Sequence, residues 1–408
     1  MTALLPEGTA RRLLAATTLL TMLGYGIYLT AGVLYFTQGL HLPAIEVGLG
    51  MSLAGALALA TGIPLGHLAD RLGARTVHAV ILLVGGAALA GLCVTRSFWP
   101  FIACATLIAA SQSAGPAARG PLVQEYGREH PAVFRSYLRA VSNVGIAVGA
   151  LAAGWAVEVD TRIAYVLVLA ASAAAYGVGA VIAIAIPRVP PLRTGSGPRW
   201  IALRDRPYMA LTVLDGLMAI QYRVLTVAVP LWLLRATLAP HWSVSAVMLV
   251  NTVIVVFLQV RASRSIDSVA TGARAFRRAG VAFLISCGIF SLLAGLPGWL
   301  CVVVLLAAVA VHTTGEMWQA AGGFELSFAL APRESVGQYQ GLFGMGLGLG
   351  VTVGPTVLIA LCIGLGSLGW WIVGLGFACT GLAVPVTARW AERSRLRPPT
   401  PVAEPVAR

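Results

Sequence analysis

The chain has 408 residues, of which 58% are hydrophobic and only 11% charged, with a mean hydropathy of +0.85. A soluble domain carries roughly 25% charged residues and could not hide so much apolar surface, so this composition excludes a soluble fold and points to lipid. The net charge of +13 is carried by arginine alone, since no lysine occurs, and the arginines fall in short clusters between apolar runs instead of forming a nucleic-acid-binding patch.

A spanning helix needs about 20 mostly apolar residues. Such runs occur at 13–37, 44–68, 76–95, 98–121, 133–157 and 162–186, and again at 207–235, 242–261, 275–296, 298–330, 336–364 and 367–390. The first follows Arg11 and Arg12 without a small-residue cleavage site, so it reads as a membrane helix and not as a removed signal. The tenth is long and carries Gly322-Gly323, where a break or tilt is expected. Together the runs predict an all-α membrane protein of twelve transmembrane helices in two six-helix bundles.

Arginine placement orients the chain. With the N-terminus inside, the inner segments hold Arg11, Arg12, Arg71, Arg75, Arg119, Arg128, Arg135 and Arg139, then further clusters from Arg188 to the tail. The outer loops hold only Arg96, Arg162 and Arg235, so both termini are expected in the cytoplasm. The polar, Pro/Gly-rich stretch 187–205 divides a bundle at 1–186 from one at 206–391, with a tail at 392–408. A faint repeat accompanies this split: GHLADRLGAR follows the second run and RSIDSVATGAR the eighth. The six cysteines stand singly in apolar stretches, without metal or redox spacing, so no metal and no cofactor is expected.

The loop Gly66-His67-Leu68-Ala69-Asp70-Arg71-Leu72-Gly73-Ala74-Arg75 is similar to the loop 2–3 signature of the major facilitator superfamily, G-x-x-x-D-R-x-G-R-R/K. Ala74 stands where the family has a basic residue. Gly66 and Gly73 suit close helix approach and a tight turn, and Asp70 can accept hydrogen bonds at a neighbouring helix N-terminus. Glu125 lies where family members keep an acid that pairs with this loop. The resemblance therefore implies a gating network of Asp70, Arg71, Arg75 and Glu125 that holds the inner face closed without touching solute.

The fifth run carries Gly145-x-x-x-Gly149-Ala150-x-x-Ala153-Gly154, which resembles an exporter-associated pattern with its proline and one glycine replaced by alanine. The eleventh keeps that core as Gly350-x-x-x-Gly354-Pro355. Small-residue packing explains these spacings as well as an export marker does. Gly315-Glu316, followed by Ala331-Pro332 and GQYQG, also resembles bacterial drug-efflux proton antiporters. The arginine that such exporters carry three residues before a Gln-Gly is missing, since Ala109 precedes Gln112 and Ser113 follows it.

Ionisable side chains inside a bilayer are costly and mark function by default. Asp215 and Arg223 lie in the seventh run, about 12 Å apart along the helix at 1.5 Å per residue, too far to pair directly. His312 and Glu316 in the tenth share a face at i and i+4. Glu316, with His312 or Asp215, is the candidate proton carrier; a static ion pair of Arg223 with an acid is the competing reading. Candidate cavity residues are Tyr25, Tyr28, Gln112, Asn143, Gln221, Tyr222, Asn251, Trp318 and Gln319, on helices that line the cavity in the family fold.

These features predict a monomeric proton-coupled exporter of small amphipathic molecules in the bacterial cytoplasmic (inner) membrane, not an enzyme, with small-molecule solute, protons and the lipid bilayer as partners and no nucleic acid. A proton-coupled importer and a non-transporting sensor are the alternatives.

Overall fold

A computed structural model of the chain describes residues 6–36, 43–189, 200–240 and 242–396. Most of the linker expected at 187–205, and the tail beyond 396, therefore lie outside the described residues. All regular structure among the described residues is helical. The elements are α1 (Thr9–Leu34), α2 (Ala44–Leu59), α3 (Gly62–Leu72), α4 (Ala74–Val94), α5 (Phe98–Gly127), α6 (Pro131–Val159) and α7 (Arg162–Ala185). They continue as α8 (Ile201–Arg204), α9 (Arg206–Ala219), α10 (Val229–Ala236), α11 (Ser243–Ser263), α12 (Val269–Leu292), α13 (Gly298–Ala329), α14 (Val336–Leu358) and α15 (Ser367–Leu396).

Among the described residues, eleven helical stretches are long and apolar enough to cross a membrane, and α2 with α3, bent by 43°, makes a twelfth when the pair is counted as one span. Two of the breaks and caps are legible in local chemistry. Gly73, at φ 96°, ends α3 and starts α4, a backbone region that L side chains avoid. Asp205 accepts a hydrogen bond from the backbone N–H of Tyr208 at 3.1 Å and so caps α9.

The tenth span differs from its expectation. Helix α13 runs unbroken from Gly298 to Ala329, because Gly322 faces the backbone and side chains of α12 and Gly323 faces Asp215. Its glycines serve close packing instead of a kink. The seventh span is irregular in its middle, where a 3₁₀ turn over Ile220–Arg223 and a π turn over Val224–Ala228 join α9 to α10, and the eleventh ends in a π turn over Ile359–Ile363.

Beside a small apolar cluster of Ile266, Ala275 and Ala321, two large ones fill most of the interior. One draws on residues between Leu14 and Ile186, with Phe328 and Val336; the other draws on residues between Ala202 and Ala391, with Ile63. The packing repeats: α4 lies on α7 and α1 on α6 in the first bundle, as α12 lies on α15 and α9 on α14 in the second. Leu151 at 79% exposure and Leu249 at 66% stand on the surface, where such large apolar side chains suit lipid. The bundles meet through α3 and α5 against α14, and through α6 against α11 and α13.

Candidate functional site

A cavity of about 260 Å³ lies between the bundles. Its wall includes Gln112, Pro116 and Arg119 from α5, Arg135 and Arg139 from α6, and Asp215 and Tyr222 from the seventh span. Gln319 and Phe324 from α13 and Gln340 and Phe343 from α14 complete it. A larger groove of about 980 Å³, lined mainly by residues of α1, α6 and α11, contains none of the expected site residues.

The central feature is an ion pair that joins the bundles. Arg139 Nη2 lies 2.5 Å from Glu316 Oε1, with side chains only 17% and 11% exposed. Arg139 Nη1 donates to the Tyr222 hydroxyl at 2.6 Å, and its guanidinium lies 5.0 Å from that ring's centroid. The second Glu316 oxygen accepts from Asn251 Nδ2 at 2.9 Å, and the same amide donates to Thr313 Oγ1 at 3.1 Å. Both oxygens of the carboxylate are therefore held, each from a different bundle.

A second chain of polar groups runs beside the first. Gln221 Nε2 donates to Gln319 Oε1 at 2.9 Å, and Gln319 Nε2 donates to Asp215 Oδ1 at 3.1 Å. Asp215 Oδ2, Gln221 Oε1 and Arg139 Nε are buried without hydrogen-bond partners. Buried polar atoms without partners are expensive, so these three leave hydrogen-bonding capacity at or beside the cavity unfilled.

Several expected site residues stand elsewhere. His312 does not join Glu316: its Nδ1 lies 3.0 Å from Ser286 Oγ, its Nε2 lies 3.4 Å from the Gln221 carbonyl, and its ring packs on Phe283. Arg223 forms no ion pair among the described residues and donates from Nε to the Val351 carbonyl at 3.1 Å, which removes the static Arg223–acid pair. Gln112 lines the cavity and donates to the Tyr176 hydroxyl. Tyr25 and Tyr28 pack near each other at 6.4 Å between ring centroids, and Trp318 packs against the second apolar cluster. Asn143 is half-buried on α6 outside the cavity wall.

The loop chemistry also differs from the four-charge network. Asp70 accepts from the backbone N–H groups of Gly337 at 2.7 Å and Gln338 at 3.0 Å, so it caps α14 across the bundle boundary. Arg75 donates to the carbonyls of Ile184 at 3.0 Å and Ile186 at 3.3 Å, at the end of α7. Arg71 and Glu125 are exposed, and no ion pair joins the four among the described residues. Gly66 meets Gly337 so closely that a Cβ on either would strike backbone. The GQYQG stretch is thus the partner surface of the Gly66–Asp70 segment, which the structure places in helix α3 and not in a loop.

Residues 14–355 match the family profile described as Major Facilitator Superfamily. The chain belongs to the major facilitator superfamily. No curated protein matches it in sequence. Solved structures similar in fold include a bacterial homologue of the iron transporter ferroportin in its outward-facing state, at 13% identity and TM-score 0.71, covering 95% of this chain and 100% of that one. The human organic anion transporter MFSD10 aligns at 14% identity and TM-score 0.68, over 92% of this chain and 98% of that one. The Escherichia coli fucose:proton symporter FucP aligns at 13% identity and TM-score 0.67, over 93% and 98%.

Arg139, the partner of Glu316, is a residue that counting arginines assigns to the inner boundary. Helix α6 begins at Pro131, so Arg135 and Arg139 sit one and two turns inside the span. Their i, i+4 spacing was the available signal, since it puts both on one helical face. A second cluster, Asp205 with Arg395 at 2.7 Å and the Tyr339 hydroxyl at 2.8 Å, ties α9, α14 and α15 together at the linker end.

Proposed function

We propose that this superfamily member is a proton-coupled secondary transporter of small organic molecules, working by alternating access between bundles at 1–186 and 206–391. The reading includes a single chain as the working unit, in a bacterial cytoplasmic membrane with both termini in the cytoplasm. The observation that carries it is the Arg139–Glu316 pair, which bridges α6 and α13 at the cavity wall. A proton on Glu316 removes the charge that holds Arg139, so protonation changes the free energy of one bundle arrangement relative to the other. An ion pair in so enclosed a place contributes little to net stability against apolar replacements, which favours a switching role over a structural one. Asp215 is the second candidate for the proton, because one of its oxygens is unpartnered.

Export of small amphipathic molecules rests on the resemblance of Gly350-x-x-x-Gly354-Pro355 to an exporter pattern. In the fold, Gly350 packs against Gly216 and Gly354 against Arg223, so the pattern also has a packing role between α14 and the seventh span. Uptake with a proton is the second reading, favoured because Arg139 contacts Glu316 and lines the cavity at once. The superfamily relatives similar in fold include a proton symporter and an organic anion transporter, and either direction fits such a scaffold.

The test needs no solute. Hydrogen–deuterium exchange on the purified chain at pD 5.5 and 8.5, corrected for intrinsic exchange, reports opening of residues 62–72 and 336–345. The wild type is expected to differ between the two conditions, and Glu316→Gln is expected to lose most of that difference, the remainder belonging to the Asp70 carboxylate that caps α14 within the readout segment. A Glu316→Gln variant that keeps the full wild-type difference overturns the proton assignment.

A further inference from the structure

We propose that the solute is a small organic anion and that it binds together with a proton. This rests on the transporter reading above and adds the chemical class of its solute. The cavity wall carries three guanidinium groups, Arg119, Arg135 and Arg139, and one carboxylate, Asp215. Glu316, behind the wall, pairs with Arg139 alone. Asp215 is engaged by an amide instead of an arginine.

Two of the three cations therefore lack a countercharge among the described residues. Arg119 donates only to neutral oxygens, the Gly115 carbonyl at 3.2 Å and Thr18 Oγ1 at 3.0 Å. Arg135 makes no hydrogen bond among the described residues, and its guanidinium lies 5.5 Å from the centroid of the Phe324 ring. Arg135 lies between the other two in charge terms, close enough to feel both Arg119 and Arg139. Uncompensated charge within a membrane protein is costly, and an incoming anion would repay that cost, whereas a cation would add to it. The planar guanidinium fork also matches a carboxylate geometrically.

Size and lining narrow the class. A hollow of about 260 Å³ is below the roughly 300–1,000 Å³ of drug-sized ligand sites. Met22, Leu138, Phe343 and Leu347 give it apolar wall, which suits a hydrocarbon portion and not a bare inorganic ion.

Arg139 supplies the coupling. It can turn to the anion only as it leaves Glu316, and it leaves most readily when Glu316 is neutral. Proton and anion then each raise the other's affinity, by the reciprocity that binding linkage requires. The groups facing Glu316 are Arg139 from α6, Tyr222 from the seventh span and Asn251 from α11, while Asp215 acts on Arg139 from α9. Solute and proton bound together travel in one direction, so the inference selects symport.

Calorimetric titration of the purified full chain, in low-chloride buffer at pH 6 and pH 8, tests this with benzoate, succinate, inorganic phosphate and the neutral analogue benzamide. Benzoate or succinate is expected to bind, benzamide is not, and affinity is expected to weaken toward about tenfold per pH unit as pH rises. Titration in two buffers of different ionisation enthalpy should register proton uptake. Arg135→Gln, checked for monodispersity and thermal unfolding, is expected to weaken carboxylate binding at least tenfold. Glu316→Gln should bind at both pH values alike. Benzamide binding as tightly as benzoate, phosphate alone binding, or no probe binding overturns the anion assignment, and pH-independent carboxylate binding overturns the coupling. The wild-type contrast of benzoate with benzamide decides the class even if a variant misfolds. Exchange measurements without ligand report the proton switch separately, so either idea can fail alone.

Discussion

At the scale of single residues, Arg139 and Glu316 are worth more as a pair than as separate charges. Removing one partner of a buried pair leaves the other charge uncompensated, at about 3–5 kcal/mol, and the slight exposure of both side chains here moves the cost to the lower end. Arg139→Gln should therefore lower the thermal unfolding temperature clearly, and Arg139→Gln with Glu316→Gln should recover most of the loss. Unfolding followed by intrinsic fluorescence in detergent measures both, and a double variant as unstable as the single one would refute the argument. Asp205 gives a second case. It caps α9 and accepts from Arg395 and Tyr339, so Asp205→Ala should cost about 1–2 kcal/mol without altering the pH response of exchange at the bundle boundary. The sequence announced Glu316 and Asp215 because acids in apolar runs stand out. It hid Arg139, since an arginine near a span's end satisfies the orientation rule equally well in the loop or in the helix. His312 misled for another reason: four residues along a helix turn the side chain by about 40° beyond a full circle, enough to direct it toward α12 while Glu316 faces α6 and α11.

At the scale of elements, span positions were legible because hydrophobic length is imposed by the bilayer and needs no tertiary context. The bends were not. Nothing in Gly322-Gly323 distinguishes a kink from a close approach, and only the neighbour decides. Here α12 lies against the pair and the helix stays continuous, whereas the seventh span departs into 3₁₀ and π turns where Gln221, Tyr222 and Arg223 stand. Such departures commonly accompany functional sites. The α3–α14 seam shows how small residues set bundle contact. Gly62 faces the Gly341 backbone and Gly66 faces that of Gly337, with Asp70 capping the start of α14. Gly66→Ala must push these helices apart, at about 1–3 kcal/mol against the closed seam. Faster amide exchange at 336–345 is the expected readout. Unchanged exchange there would mean that the seam is not what holds the face shut.

At the scale of the whole molecule, the bundle boundary is closed at the end that carries the linker. The Asp70 cap, the Gly62–Gly341 and Gly66–Gly337 approaches, and Gly120 against Gln340 all lie there. The Arg139–Glu316 pair lies deeper along the same boundary, so under the proton-coupled function proposed above the cavity and the closed linker end would act on one rigid-body equilibrium. This arrangement can be held covalently. The His67 and Gln338 side chains meet at 2.8 Å across the boundary, from α3 and α14. In a Cys379→Ala background, His67→Cys with Gln338→Cys should cross-link in high yield with a short bismaleimide, identified as a joined peptide by mass spectrometry. The linked protein should lose the pH-dependent exchange difference at 62–72 and 336–345, and the unlinked variant should keep it. If the linked protein still responds to pH there, opening of this face is not part of the cycle that Glu316 controls, and the two ends of the boundary must be driven independently.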